Sequence, residues 1–148
     1  MMNTRHKITK QYTRIQNDQL SLYEQYARQN GINGKALSIL LWIYYSQSGI
    51  TQKRLADETY SSKQVINSVI NGLKEKAFIY FAESQRDKRE KVVRLTLQGE
   101  QYCATLLDPL EQAEMSAMAT LSIDEQVQLI ELMSKYHLAF KAELHKNG

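Results

Sequence analysis

Five polar side chains recur along one short stretch of the sequence: Lys63, Asn67 and Asn71, spaced four apart, with Gln64 and Ser68 beside them. On a helix this spacing puts them on one face, opposite a continuous apolar face of Val65, Ile66, Val69, Ile70 and Leu73. Such a polar face offers hydrogen bonding in a groove. A side-chain amide can pair with adenine N6 and N7 together, and a lysine reaches guanine O6 and N7 or a phosphate. The plain alternative is a solvated helix face, and the surroundings weigh against it. No acid stands on that outer face before Glu75, and the stretch lies between Lys53-Arg54 and a basic run further on.

That run, Ser84-Gln85-Arg86-Asp87-Lys88-Arg89-Glu90, contains no apolar residue. Arg86, Lys88 and Arg89 suit the narrow minor groove of a duplex, where the negative potential is concentrated. Asp87 would repel a phosphate, so its expected part is to hold Arg89 by a charge-assisted hydrogen bond. A flexible charged turn is the competing reading.

The elements needed to position these groups are legible in the hydrophobic periodicity. Ile8, Tyr12, Ile15, Leu22 and Tyr26 recur at helical spacing, predicting a first helix over 8–29 that ends at Asn30-Gly31. Asn33 is placed to cap a second helix, Ala36 to Ser46, which is apolar nearly all round and so central to the core. Thr51 is placed to cap a short third helix with Leu55 and Ala56 inward. Ser61, with Gln64 three residues on, forms a capping box opening the fourth. Two short helices about a tight polar break make a helix-turn-helix. Ser61 and Ser62 then join the polar face at the helix entrance, and Thr51, Lys53 and Arg54 stand where a nucleic-acid backbone passes.

After Lys76 the period changes. Phe78 to Glu83 and Lys91 to Leu97 have strand composition and predict a hairpin with Arg86 to Arg89 at its tip. Thr96 is placed to cap a fifth helix with Tyr102, Cys103, Leu106, Leu107, Leu110 and Ala113 inward, and Pro109 should kink or interrupt it. Ser122 to Glu125 is a capping box opening a sixth helix, striped by Ile123, Val127, Ile130, Met133, His137, Phe140 and Leu144.

Other chemistries find little support. His137 and His145 lie eight residues apart on one helix, about 12 Å along its axis, too far to share a metal ion, and His6 is remote in sequence; no metal or cofactor is expected. Cys103 is the single cysteine and falls on an inward face without a nearby cation, which suits inert packing better than redox sensing. There is no glycine-rich phosphate loop and no nucleophile motif, so an enzyme is not expected. The nine tyrosines and Trp42 are many for 148 residues; Tyr12, Tyr26, Trp42 and Tyr45 are candidates for a pocket taking a phenolic or other aromatic effector, with core packing the competing use.

The net charge of +3 is unevenly spread: residues 1–50 and 51–96 carry +4 each, and 97–148 carry −5. That asymmetry favours a polyanionic partner for the middle of the chain. No apolar run approaches the roughly 20 residues that span a bilayer, and Met1 to Lys10 lacks the apolar core of a signal peptide. A cytoplasmic protein without membrane contact is the expectation.

Leu55-Ala56, Ser62 to Asn67, Leu73-Lys74-Glu75-Lys76, Asp87-Lys88-Arg89 and Val93 to Gly99 together resemble the MarR family of bacterial regulators. The most recognisable stretch is the Asp-x-Arg wing followed by Leu95-Thr96-Leu97-Gln98-Gly99. The motifs span about residues 33–100, and the order of helices extends the resemblance along the chain. It implies a dimer interlocked through the first, fifth and sixth helices, DNA contacts by the fourth helix and the wing, and often release of DNA by a small molecule. Ala77 departs from the family, many members having glycine there, which leaves room for a different turn before the wing.

The expected fold is therefore mainly α: a winged helix-turn-helix of three core helices and a two-stranded β-wing over residues 33–96. Residues 1–32 and 97–148 form a dimerisation region, since amphipathic terminal helices without a second layer need a partner. The expected partners are double-stranded DNA and a second copy of the chain, as in a transcription regulator that represses from a palindromic operator. Two rivals remain. One is a winged-helix protein-interaction module, which calls for an apolar exposed patch. The other is an RNA binder, which calls for stacking aromatics on the basic face, near which only Tyr60 and Tyr80 lie.

Overall fold

A computed structural model describes residues 3–146. The elements run α1 (Thr4–Gln29), α2 (Gly34–Tyr44), α3 (Gln52–Thr59), α4 (Lys63–Glu75), β1 (Ile79–Glu83), β2 (Lys91–Leu95), α5 (Leu97–Met118) and α6 (Ile123–His145). The chain divides into two compact units, one ending at Leu107 and the other starting at Asp108.

In the first unit the helix starts follow side-chain chemistry. Asn33 Oδ1 accepts from the Ala36 amide at 2.8 Å, Thr51 Oγ1 from Arg54 at 3.1 Å and Thr96 Oγ1 from Gly99 at 3.0 Å. Each satisfies an amide that the helix itself leaves orphaned. The fourth helix departs from expectation. Its cap is Ser62, whose hydroxyl accepts from Val65 at 3.1 Å, and the box between Ser61 and Gln64 does not form. Ser61 is instead drawn back to α3, its hydroxyl 2.7 Å from that of Thr59.

Three helix ends share one geometry, in which a left-handed residue lets its own amide and the next one reach back to carbonyls of the last turn. After α1, Ile32 donates to Ala27 and Gly31 to Arg28; after α3, Ser61 to Ala56 and Tyr60 to Asp57; after α4, Phe78 to Leu73 and Ala77 to Lys74. The left-handed residues are Gly31 (φ 79°), Tyr60 (φ 52°) and Ala77 (φ 61°). Ala77 therefore makes the left-handed turn that a glycine would make there.

The core of this unit is Leu37, Ile39, Leu40 and Ile43 of α2, joined by Leu55, Ile66, Ile70, Leu73, Ile79, Val92, Val93, Cys103, Leu106 and Leu107. Two residues expected inward are not. Val65 is exposed, because it lies in the first turn of α4, ahead of the point where the helix meets the core at Ile66. Ala113 is exposed as well. Pro109 does not interrupt α5, which continues through it to Met118; a proline removes one helical hydrogen bond, and those of the flanking turns carry the helix on.

β1 and β2 pair antiparallel with Ile79 opposite Leu95 and Glu83 opposite Lys91. Ile50 adds an isolated bridge to β2, exchanging hydrogen bonds of 3.2 and 2.8 Å with Val93, and so ties the entrance of α3 to the wing. At the foot of the hairpin the Phe78 carbonyl accepts from the Thr96 amide and lies against Gly99 so closely that no β-carbon fits there. That approach explains the glycine of the Leu-Thr-x-x-Gly stretch.

The second unit holds the capping box expected at α6: Ser122 Oγ accepts from Glu125 at 3.2 Å, and Glu125 returns a carboxylate to the Ser122 amide at 2.9 Å. None of the described residues of α6 is buried, and its apolar stripe of Ile123, Val127, Ile130, Met133, Phe140 and Leu144 is exposed.

Candidate nucleic-acid interface

The fourth helix carries its polar stripe as an accessible surface. Lys63, Gln64, Asn67, Ser68 and Asn71 are all exposed, while Ile66, Ile70 and Leu73 on the other side are buried. One member of the stripe is held from outside the helix: Gln52 Nε2 of α3 donates to Asn67 Oδ1 at 2.9 Å. This bond fixes how the Asn67 amide is turned, and periodicity alone gave no sign of it. Ser61 and Ser62 are committed differently. Ser61 bonds to the hydroxyl and carbonyl of Thr59, and Ser62 caps its own helix. The Thr51 hydroxyl caps α3, and Lys53 and Arg54 on that helix are exposed.

The wing tip is a built turn. Ser84 Oγ accepts from the amides of Arg86 and Asp87 at 3.1 and 3.4 Å, and the Ser84 amide donates to Glu90 O at 2.9 Å. Inside that frame Asp87 Oδ1 accepts from the Arg89 amide at 3.0 Å and from Arg89 Nε at 3.3 Å, with Arg89 Nη2 to Oδ2 at 3.4 Å. The backbone amide and then the guanidinium of Arg89 hold the Asp87 carboxyl below its ordinary range. Ser84 is the organiser that sequence reading passed over, its signal being a serine two and three residues before the amides it accepts from. Arg86, Lys88 and Arg89 remain exposed.

Two clefts border these groups. One of about 450 Å³ lies between the start of α3 and the wing, lined by Lys53, Arg54 and Arg86 with Asp57 and Glu90. Another of about 360 Å³ runs between α3 and α4, lined by Gln52, Lys53, Asp57, Lys63 and Asn67 over Ala56 and Ile66. Basic and amide groups from two helices and the hairpin thus share one unit and adjoining grooves.

The candidate effector residues are less of a group. Tyr26 Oη donates to the Leu106 carbonyl, Tyr12 Oη accepts from Gln16 at 3.0 Å, Trp42 is half-buried, and Tyr45 is exposed with its ring 5.4 Å from that of Tyr44. A cleft of about 630 Å³ between α2, β2 and α5 contains none of the four; Tyr44, Arg94, Glu100 and Gln101 are in its lining. Cys103 is buried, and desolvation pushes its thiol up to about 11. Among the described residues no cluster of three or more His, Cys, Asp or Glu could hold a metal ion, and no helix is long and apolar enough to cross a membrane.

Comparison with known proteins follows the same lines. Residues 30–90 match the family described as the MarR family. No curated protein sequence matches the chain. Among solved structures, the MarR family regulator NMB1585 from Neisseria meningitidis is similar at 19% identity and a TM-score of 0.74, covering 99% of this chain and 100% of that one. MepR from Staphylococcus aureus in its DNA-binding conformation is similar at 20% identity and a TM-score of 0.72, covering 90% and 98%. A MepR–DNA complex gives 19% identity and a TM-score of 0.67, over 94% and 99%. The expected resemblance to the MarR family is borne out over residues 30–90, a span that includes Asp87-Lys88-Arg89. The chain carries a MarR family segment over residues 30–90 within the mainly helical, winged-helix fold of MarR family regulators.

Proposed function

We propose that this protein is a sequence-specific regulator of transcription that binds double-stranded DNA as a homodimer. The observation that carries the reading is the acid-free stripe of Lys63, Gln64, Asn67, Ser68 and Asn71 beside a wing whose arginine is pre-set by Asp87. In this reading the stripe enters the major groove and Arg86, Lys88 and Arg89 follow the minor groove. Lys53 and Arg54, with the Thr51 end of α3, face the phosphates. The MepR–DNA complex supports it by likeness of fold.

Residues 33–96 serve as the DNA-binding part, and 1–32 with 97–148 as the dimerisation part. Support for the second comes from Ile8, Ile15, Leu20 and Leu22 on α1 and the stripe on α6, all exposed in the single chain. Twofold symmetry calls for a palindromic operator with half-sites about 34 Å apart. Repression in the cytoplasm, relieved by an aromatic small molecule, is the mode we propose; MepR has been solved with ethidium bound. The test measures affinity for the duplex upstream of the protein's own gene and for a scrambled duplex, across a salt series. Preference for the upstream duplex supports specific regulation; equal affinity for both overturns it.

A further inference from the structure

Tyr60 stands in the turn between α3 and α4 in a conformation that suits it poorly. Its φ of 52° is left-handed, where a β-carbon is crowded and glycine is the ordinary occupant. The same end geometry after α1 is made by Gly31. Yet the Tyr60 side chain is 93% exposed and forms no hydrogen bond among the described residues. The fold therefore gains nothing visible from the ring, and the backbone would be easier with none. A bulky residue kept in a strained, exposed position suggests a contact made outside the chain.

Its neighbours say of what kind. Beside Tyr60, Lys35 Nζ donates to the Thr59 carbonyl at 2.6 Å, exposed Lys63 opens α4 three residues on, and of the acids that precede the turn Glu58 is paired with Arg54. Tyr60 also directly precedes the two serines that lead into the stripe. A phenol there offers an O–H donor between Lys35 and the Lys63 end of α4, two cations that draw a phosphate. We infer that Tyr60 donates a hydrogen bond to a phosphate oxygen of the DNA backbone and fixes the register in which α4 enters the groove. The inference rests on the DNA-binding reading above.

A neutral donor has a signature that a lysine lacks. It releases no counterion, so its loss lowers affinity for every duplex alike and leaves the slope of log affinity against log salt unchanged. Tyr60→Phe removes only the hydroxyl and Tyr60→Gly relieves the backbone as well. Both variants should bind the upstream and the scrambled duplex about tenfold more weakly than the wild type, with the wild-type salt slope. Lys63→Ala, run beside them, should reduce that slope. The thermal midpoint of Tyr60→Gly should equal or exceed that of the wild type. Wild-type affinity in Tyr60→Phe, a changed slope in either variant, or a lowered midpoint in Tyr60→Gly would each overturn the inference. Wild-type protein that binds neither duplex would overturn the parent reading, and this one with it.

Discussion

Asp87 is an acid at the tip of a hairpin that also carries Arg86, Lys88 and Arg89, and its two oxygens are both turned to Arg89. If the pair exists to aim the guanidinium, Arg89→Ala should weaken operator binding roughly tenfold or more, as losing a groove contact does. Asp87→Ala should weaken it about two- to fivefold, the scale of an exposed ion pair, although it removes a negative charge. Tighter binding by Asp87→Ala in a fluorescence-anisotropy titration would sink the aiming role. Because the carboxyl titrates below its ordinary value, the tip bond is intact above that ordinary value and is lost only as pH falls through the depressed one. The Asp87 carboxyl resonance should therefore titrate with a midpoint below that of an ordinary aspartate, and Arg89→Ala should move the midpoint back up. Cys103 behaves in the opposite sense. Its folded pKa of about 11 lies above the ordinary thiol value, so its contribution to stability is full below that ordinary value and is lost as pH rises toward 11. At pH 7.5 the native protein should resist alkylation by iodoacetamide and react only on unfolding; prompt labelling would restore the sensor reading.

At the scale of elements, two positions at the ends of the hairpin make opposite predictions. Ala77 holds a left-handed turn at φ 61° that glycine holds without strain, so Ala77→Gly should raise stability by about 0.5–1 kcal/mol in urea unfolding. Gly99 lies against the Phe78 carbonyl, so Gly99→Ala must push backbone from backbone and should destabilise by about 1–3 kcal/mol. These residues also mark how far the sequence could be read. Caps and periodicity located every helix and the hairpin, because Asn33, Thr51, Thr96 and Ser122 act on amides three residues away. What stayed hidden depends on contacts distant in sequence. The bridge between Ile50 and Val93, the bond from Gln52 to Asn67 and the recruitment of Ser61 by Thr59 leave no periodic trace. Val65 was misplaced for a related reason: the apolar face of α4 reads as continuous, but where the helix meets the core is a tertiary fact.

For the whole molecule the governing fact is apolar surface without cover. On α6 the stripe from Ile123 to Leu144 is exposed; Ile130 is 59% and Phe140 51% accessible, far from the values of core residues. Large apolar stripes left in water favour association, and a second copy of the chain supplies a matching stripe by symmetry. Residues 97–148 carry −5 against +4 for residues 51–96, so a polyanion is repelled by the former and drawn to the latter. Dimerisation and DNA binding should then be linked. Replacing Ile130 and Met133 together by glutamate should give a monomer in analytical ultracentrifugation. The same variant should lose operator affinity by far more than it loses affinity for a scrambled duplex, because a monomer grips one half-site only. A monomeric variant that still bound the operator with wild-type affinity would show that one winged helix suffices, and the exposed stripe on α6 would need another partner.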